Sequence, residues 1–141
     1  MVEDRYRLAP LREVRERSEV THRGHLSTAI SDAHVTEEEV AEAAARVERA
    51  RLALDAATRS PASGTTATEL VVAERYRSRM RAALAAARDE ELRAWLVHEA
   101  RTGEVETARA RLARARADRE VIERHFATWR ETQRKRRENR D

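Results

Sequence analysis

From Leu70 onward the sequence repeats in alternating steps of three and four. The series is Leu70, Ala73, Arg77, Met80, Leu84, Ala87, Glu91, Ala94, His98, Arg101, Val105, Ala108, Leu112, Ala115, Arg119, Ile122, Phe126 and Trp129, and thirteen of its eighteen members are apolar. Residues spaced this way share one face of an α-helix, and an average step of 3.5 makes that face the seam of a coiled coil. The series holds one register over about eight heptads. It passes through Gly103, which costs a helix interior about 1 kcal/mol. A broken helix has no reason to keep register, so the spacing predicts one helix, roughly 105 Å long at 1.5 Å per residue.

A second seam precedes it: Leu26, Ala29, Ala33, Thr36, Val40, Ala43, Val47, Ala50, Leu54 and Ala57, nine of ten apolar. Before Leu26 the apolar positions are Leu8, Leu11 and Val14, which reads as a shift of phase. Thr36 and Glu39 have capping-box spacing, so the segment 31–36 reads either as a kink or as a break; continuity is preferred. Between the seams lies TRSPASGTTAT, Thr58 to Thr68, where Pro61, Ser63 and Gly64 turn the chain. Thr66 followed by Glu69 is a capping box: the hydroxyl accepts from a free backbone N–H and the carboxylate reaches back. The expected fold is all-α, two long helices forming an antiparallel coiled-coil hairpin in one unit over 1–141. The first helix covers about 8–58, the loop about 59–67 and the longer second helix about 68–138.

Composition agrees. Twenty-seven alanines leave only 30 larger apolar residues in a chain of 141, too few for a globular interior but enough for a narrow seam. Sandwiches, barrels and doubly wound α/β folds are excluded. An Ala-rich seam buries little area per layer, so the hairpin should be a pliable rod that works through partners. Centring the turn at Ser63 places Leu8 opposite Asp118. Everything beyond Asp118, including Ile122, Phe126 and Trp129, should then overhang the first arm without an intramolecular partner.

Chemistry-bearing patterns are few. The chain has no cysteine, hence no disulfide framework, thiol nucleophile or thiolate zinc site. His22 and His25 stand at i, i+3 without the carboxylate companions of a metal site. His34, His98 and His125 are isolated, and His98 falls in the seam, where a polar residue tunes register. No phosphate loop or nucleophile elbow is present, and Glu37, Glu38 and Glu39 suit a helix first turn. Neither catalysis, nor a metal, nor a cofactor is expected. Arg109, Arg111, Arg114, Arg116 and Arg119 raise nucleic-acid binding, but acids are interspersed and the net charge is only +3, so a solvated, salt-bridged face is expected instead. No apolar run approaches the roughly 20 residues of a membrane span, and the first ten residues lack a secretory signal's apolar stretch. The expectation is a cytoplasmic protein. Phe126, Trp129, Arg130 and Arg134 lie on one side of a helix and combine the residue types that dominate interface hot spots.

The start, RYRLAPLREVRERSE (Arg5 to Glu19), and the end, ADREVIERHFATWRETQRKRRE (Ala117 to Glu138), with the Ala/Arg/Glu hairpin between them, resemble the YscO/FliJ family. Its members are the central stalk proteins of type III secretion and flagellar export ATPases, similar in fold to the coiled-coil part of the rotary ATP synthase γ subunit. The resemblance implies that the paired terminal ends enter the pore of a hexameric ATPase, through Leu8, Leu11, Arg12 and Arg15 of the first arm and Phe126, Trp129, Arg130 and Arg134 of the second. It implies that the loop end, Ser60, Pro61, Gly64 and Thr66, faces the membrane export gate. It also implies a location at the cytoplasmic face of the inner-membrane secretion apparatus, with secretion chaperones as candidate further partners. The alternative is a generic helical-hairpin adaptor or chaperone-like scaffold of another assembly.

Overall fold

The computed structural model describes residues 5–59 and 66–140. Two helices account for nearly all of them: α1, Ala9–Arg59, with 51 residues, and α2, Ala67–Glu138, with 72. They pack against each other as an antiparallel helical hairpin with the second helix longer. Ser60, Pro61 and Gly64 of the expected loop lie outside the described residues.

The helix ends follow from local chemistry. Pro10 sits in the first turn of α1, where a missing N–H removes no intrahelical bond. At the start of α2 the Thr66 N–H donates to Glu69 Oε2 at 3.2 Å, and the Glu69 N–H donates to Thr66 Oγ1 at 3.3 Å, a complete capping box. Lys135, Arg136 and Arg137 close the last turn of α2, where the helix dipole favours cations. Gly103 lies inside α2, and a Cβ built on it would meet nothing within 4 Å.

Helix α1 is continuous through 31–36. Thr36 therefore caps nothing. It is buried in the seam, and its hydroxyl donates to the Ala33 carbonyl at 2.9 Å. That spends its one proton, so the 2.9 Å contact with His98 Nδ1 requires the imidazole nitrogen to carry the hydrogen.

The chain forms two compact units, a terminal unit of Met1–Ile30 with Gly103–Asp141 and a loop-proximal unit of Ser31–Thr102. In the loop-proximal unit Ala43 and Leu84 are the buried apolar residues, flanked by half-buried Val40, Val47, Leu54, Met80 and Ala87. In the terminal unit the buried layer is Tyr6, Val105, Leu112, Ala115 and Ile122. Small seam residues give small layers: among the described residues no large side chain is fully buried.

Two expectations are corrected. The seam of α1 keeps its phase before Leu26 as far as Arg12. It continues through His22, Glu19, Arg15, Arg12, Ala9 and Tyr6, while Leu8, Leu11 and Val14 are exposed at 36, 39 and 57%. Polar side chains occupy these layers because α2 supplies Tyr6, Arg12, Arg15 and Glu19 with an ionic or hydrogen-bonding partner; His22 packs on the His25 ring of its own helix. The register also differs. In the terminal unit Arg12 faces Glu123 and Arg15 faces Asp118; in the loop-proximal unit Thr36 faces His98 and Ala57 faces Arg77. The residue numbers of each pair add up to between 133 and 135, which centres the reversal near residue 67 rather than 63. This slides α2 by about eight positions, close to one heptad, so one seam still faces the other. Ile122 is consequently buried, and Phe126 and Trp129 do have partners on the first arm.

Candidate partner-binding site

The terminal unit ends in an aromatic cluster built by both arms. Tyr6, just before α1, is buried, with its ring 5.0 Å from Phe126 and 5.2 Å from Trp129 between centroids. Phe126 and Trp129 stack at 5.8 Å with 17° between planes. Steps of three and four bring these α2 rings onto the seam face. The Tyr6 hydroxyl is hydrogen-bonded to His125 Nδ1 at 2.8 Å, which gives the buried phenol its polar partner.

Arginines surround the rings. The Arg12 guanidinium lies 4.2 Å from the Phe126 centroid and donates twice to Glu123, Nε to Oε1 at 2.7 Å and Nη2 to Oε2 at 3.2 Å. This fork-to-carboxylate geometry, with an aromatic face beneath, is one that Arg forms and Lys does not. The paired bonds, reinforced by Coulombic attraction, hold the Glu123 carboxyl below the usual carboxylate range. The same bonds raise Arg12 above its ordinary value. Arg130 approaches Phe126 to 5.8 Å. One turn further in, Arg15 donates to Asp118 at 3.1 Å. Beyond it the Glu19 carboxylate, buried in the seam, takes Arg23 at 3.0 Å, Arg116 at 3.6 Å and Arg119 at closer range.

Of the residues that the sequence pointed to, Arg12, Phe126, Trp129 and Arg130 come together in this cluster. Arg15 lies on the adjoining layer. Leu8 lines a groove of about 570 Å³ together with Tyr6, His125 and Trp129. Leu11 is exposed, and Arg134 pairs with Glu131 and Glu138 of its own helix at 4.0 and 3.6 Å. Tyr6, Glu19 and Glu123 were not singled out from sequence, and His125 was read there as isolated. Their signal was present as complementary pairing: in the observed register every one of them meets a matching group on the other arm.

At the other end Thr66 serves as the cap of α2, and Leu70, Val71 and Val72 in its first turns are exposed. Two members of the arginine run are committed to Glu19, and Arg109 pairs with Glu106 at 3.0 Å. His22 and His25 pack ring edge to ring at 5.8 Å. Among the described residues no group of three or more acidic or imidazole side chains is placed to hold a metal ion, and no helix is long and apolar enough to cross a membrane. Comparison of the chain with family models, with curated proteins and with solved structures finds no match in any of the three.

Proposed function

We propose that this chain is the central stalk of a type III secretion export ATPase, with its paired terminal ends seated in a hexameric ATPase ring and its loop end towards the export gate. The observation that carries this reading is the terminal cluster, where Tyr6, Phe126 and Trp129 are gathered from both arms and ringed by Arg12 and Arg130. Aromatic and arginine side chains on one face supply the anchors of protein interfaces. The two arms are also unequal, 51 residues against 72. An unequal pair of helices inside a six-fold ring cannot touch all six subunits alike. Differential contacts bias the subunits into different states, which favours ring assembly and stimulates hydrolysis. The chain's own part is mechanical, and its location follows the ATPase at the cytoplasmic face of the secretion apparatus.

The second reading is a helical-hairpin adaptor or chaperone-like scaffold. It draws on a different surface, Leu92, Trp95 and Leu96 at i, i+3 and i+4 on α2, all more than half exposed. Co-purification with the export ATPase of the same cell separates the two. The stalk reading expects capture of the ATPase, faster hydrolysis, and loss of both on changing Arg130 and Arg134 to glutamate. Capture that survives those changes but disappears with Trp95→Ala supports the adaptor and overturns the stalk.

A further inference from the structure

The end of α2 holds an unbalanced store of positive charge. Between Arg130 and Arg140 six basic side chains stand against Glu131 and Glu138. Arg134 lies between those two carboxylates, and Lys135 reaches Glu131 at 3.3 Å, so both acids are already engaged. Arg130, Arg136, Arg137 and Arg140 make no ion pair among the described residues, and Arg130 lies 5.8 Å from the centroid of the Phe126 ring.

Two grooves flank Trp129, and both include Gln133. The groove of about 570 Å³ carries Arg5, Arg7 and Arg136 and has no carboxylate in its described lining, with Tyr6, Leu8 and Trp129 as its apolar surface. The other, about 690 Å³, carries Arg130, Arg134 and Arg137 against the single carboxylate of Glu131. Six guanidiniums thus stand around one half-buried indole. Crowding like charges on one helix end is unfavourable until an anion neutralises them. The helix C-terminal dipole relieves only part of that repulsion. Guanidinium forks match carboxylates in pairs, and the apolar surface beside them calls for an apolar side chain between the acids.

We propose that this end binds an acidic amphipathic segment of a partner protein, with carboxylates on the flanking arginines and an apolar side chain against Trp129 and Leu8. The proposal rests on the reading of this end as the partner-binding end, but not on the partner being an ATPase. A nucleic acid is disfavoured by the geometry. Trp129 packs on Phe126 and Tyr6, which takes up ring faces that a stacked base would need. The cation cluster is also short, about 15 Å from Arg130 to Arg140, where strong phosphate binding gains from a longer track of uncompensated charge.

The test uses the full chain with Trp95→Phe, so that Trp129 alone reports. The probes are a synthetic helical peptide of Glu and Leu, the same peptide with Gln for Glu, and an oligouridine of equal length. The expected result is a Trp129 fluorescence change with the Glu peptide, at least about tenfold weaker binding of the Gln peptide, and a similar loss in the surface variant Arg136→Glu, Arg137→Glu. Equal binding of both peptides, tighter binding of oligouridine, or no binding at all overturns the proposal. Failure here is distinguishable from failure of the stalk reading. If the export ATPase is captured and the Arg136/Arg137 variant captures it equally well, the acidic-segment proposal falls and the stalk stands. If the Glu peptide binds as expected while the ATPase is not captured, the reverse holds.

Discussion

Glu19 is the residue at which the terminal unit can be asked whether its buried ions supply stability or direction. Its carboxylate is 6% exposed, while the side chains of its partners Arg23, Arg116 and Arg119 are 59, 54 and 38% exposed. Glu19→Ala leaves three cations without their acid. Orphaning a fully buried charge costs about 3–5 kcal/mol, but these guanidiniums keep water contact, so about 1–2 kcal/mol is expected after that discount. Glu19→Leu loses the same pairing and regains about 1.5–3 kcal/mol by burying an apolar side chain in the seam. Its stability should therefore match or exceed that of the unaltered chain, with Ala the least stable of the three. What leucine cannot supply is a preferred layer on the other arm. Apolar packing is nearly alike after one heptad, so Glu19→Leu should raise the share of a register slipped by seven residues, about 10 Å along the axis, with Arg12–Glu123 and Arg15–Asp118 left to oppose it. Urea unfolding followed by Trp129 fluorescence, in a Trp95→Phe background, gives the stability order. Spin labels on Val14→Cys and Val121→Cys, both exposed in a chain without native cysteine, give the register. If Glu19→Leu is as unstable as Glu19→Ala and keeps a single, unshifted label distance, the ion cluster contributes net stability and the reasoning is refuted.

Four further outcomes are expected. Gly103→Ala should stabilise the chain by about 0.5–1 kcal/mol in thermal or urea unfolding, because the position is helical and the added methyl meets open space. Thr66→Ala should cost about 1 kcal/mol and slow-exchange protection in the first turn of α2, through loss of the cap that holds the Glu69 N–H. Trp129→Ala should destabilise the terminal unit by about 2–3 kcal/mol, below the full range for a buried Trp because the ring is only half-buried; unchanged unfolding would mean that it packs on nothing. The Glu123 carboxyl titrates below its ordinary value of 4.5 in the folded chain, so its contribution is present above that value and is lost as pH falls through the lower folded one. Between pH 7 and 3 the urea midpoint of the terminal unit should fall at the acid end, and Glu123→Gln should flatten that part of the fall.

The helical seams were legible because period is a property of composition along one chain. Of the eighteen positions spaced from Leu70 to Trp129, only Leu70 is exposed, and all ten from Leu26 to Ala57 are turned at least partly inward. The capping box at Thr66 was legible for the same reason, since both of its bonds are local. The start of α1 was misread because apolar residues were followed where the seam is polar. Leu8, Leu11 and Val14 each stand one position before Ala9, Arg12 and Arg15, the residues turned towards α2, and so fall beside the seam rather than in it. The true seam there is Tyr6, Ala9, Arg12, Arg15, Glu19 and His22, mostly polar, and no hydrophobic pattern can find it.

Register required a property of two segments together. A reversal centred on the Pro61–Gly64 turn assumes a symmetric loop, and heptad periodicity does not object, since a slide of about one heptad keeps seam against seam. Charge does object. In the loop-centred register Arg12 would lie opposite Arg114, and Arg15 opposite Arg111, two like-charge pairs; in the observed one the same arginines meet Glu123 and Asp118. Thr36 finds His98, and Glu19 finds Arg116. Four layers thus choose one slide among several that apolar packing leaves nearly equal, at little gain in stability per exposed pair. The same choice positions the proposed binding end. Only with α2 drawn back by a heptad does Tyr6 reach Phe126 and Trp129 and turn two separate helix ends into one aromatic surface bordered by arginine. The ionic layers of the terminal unit therefore act through register: they set which side chains share the end proposed to meet a partner.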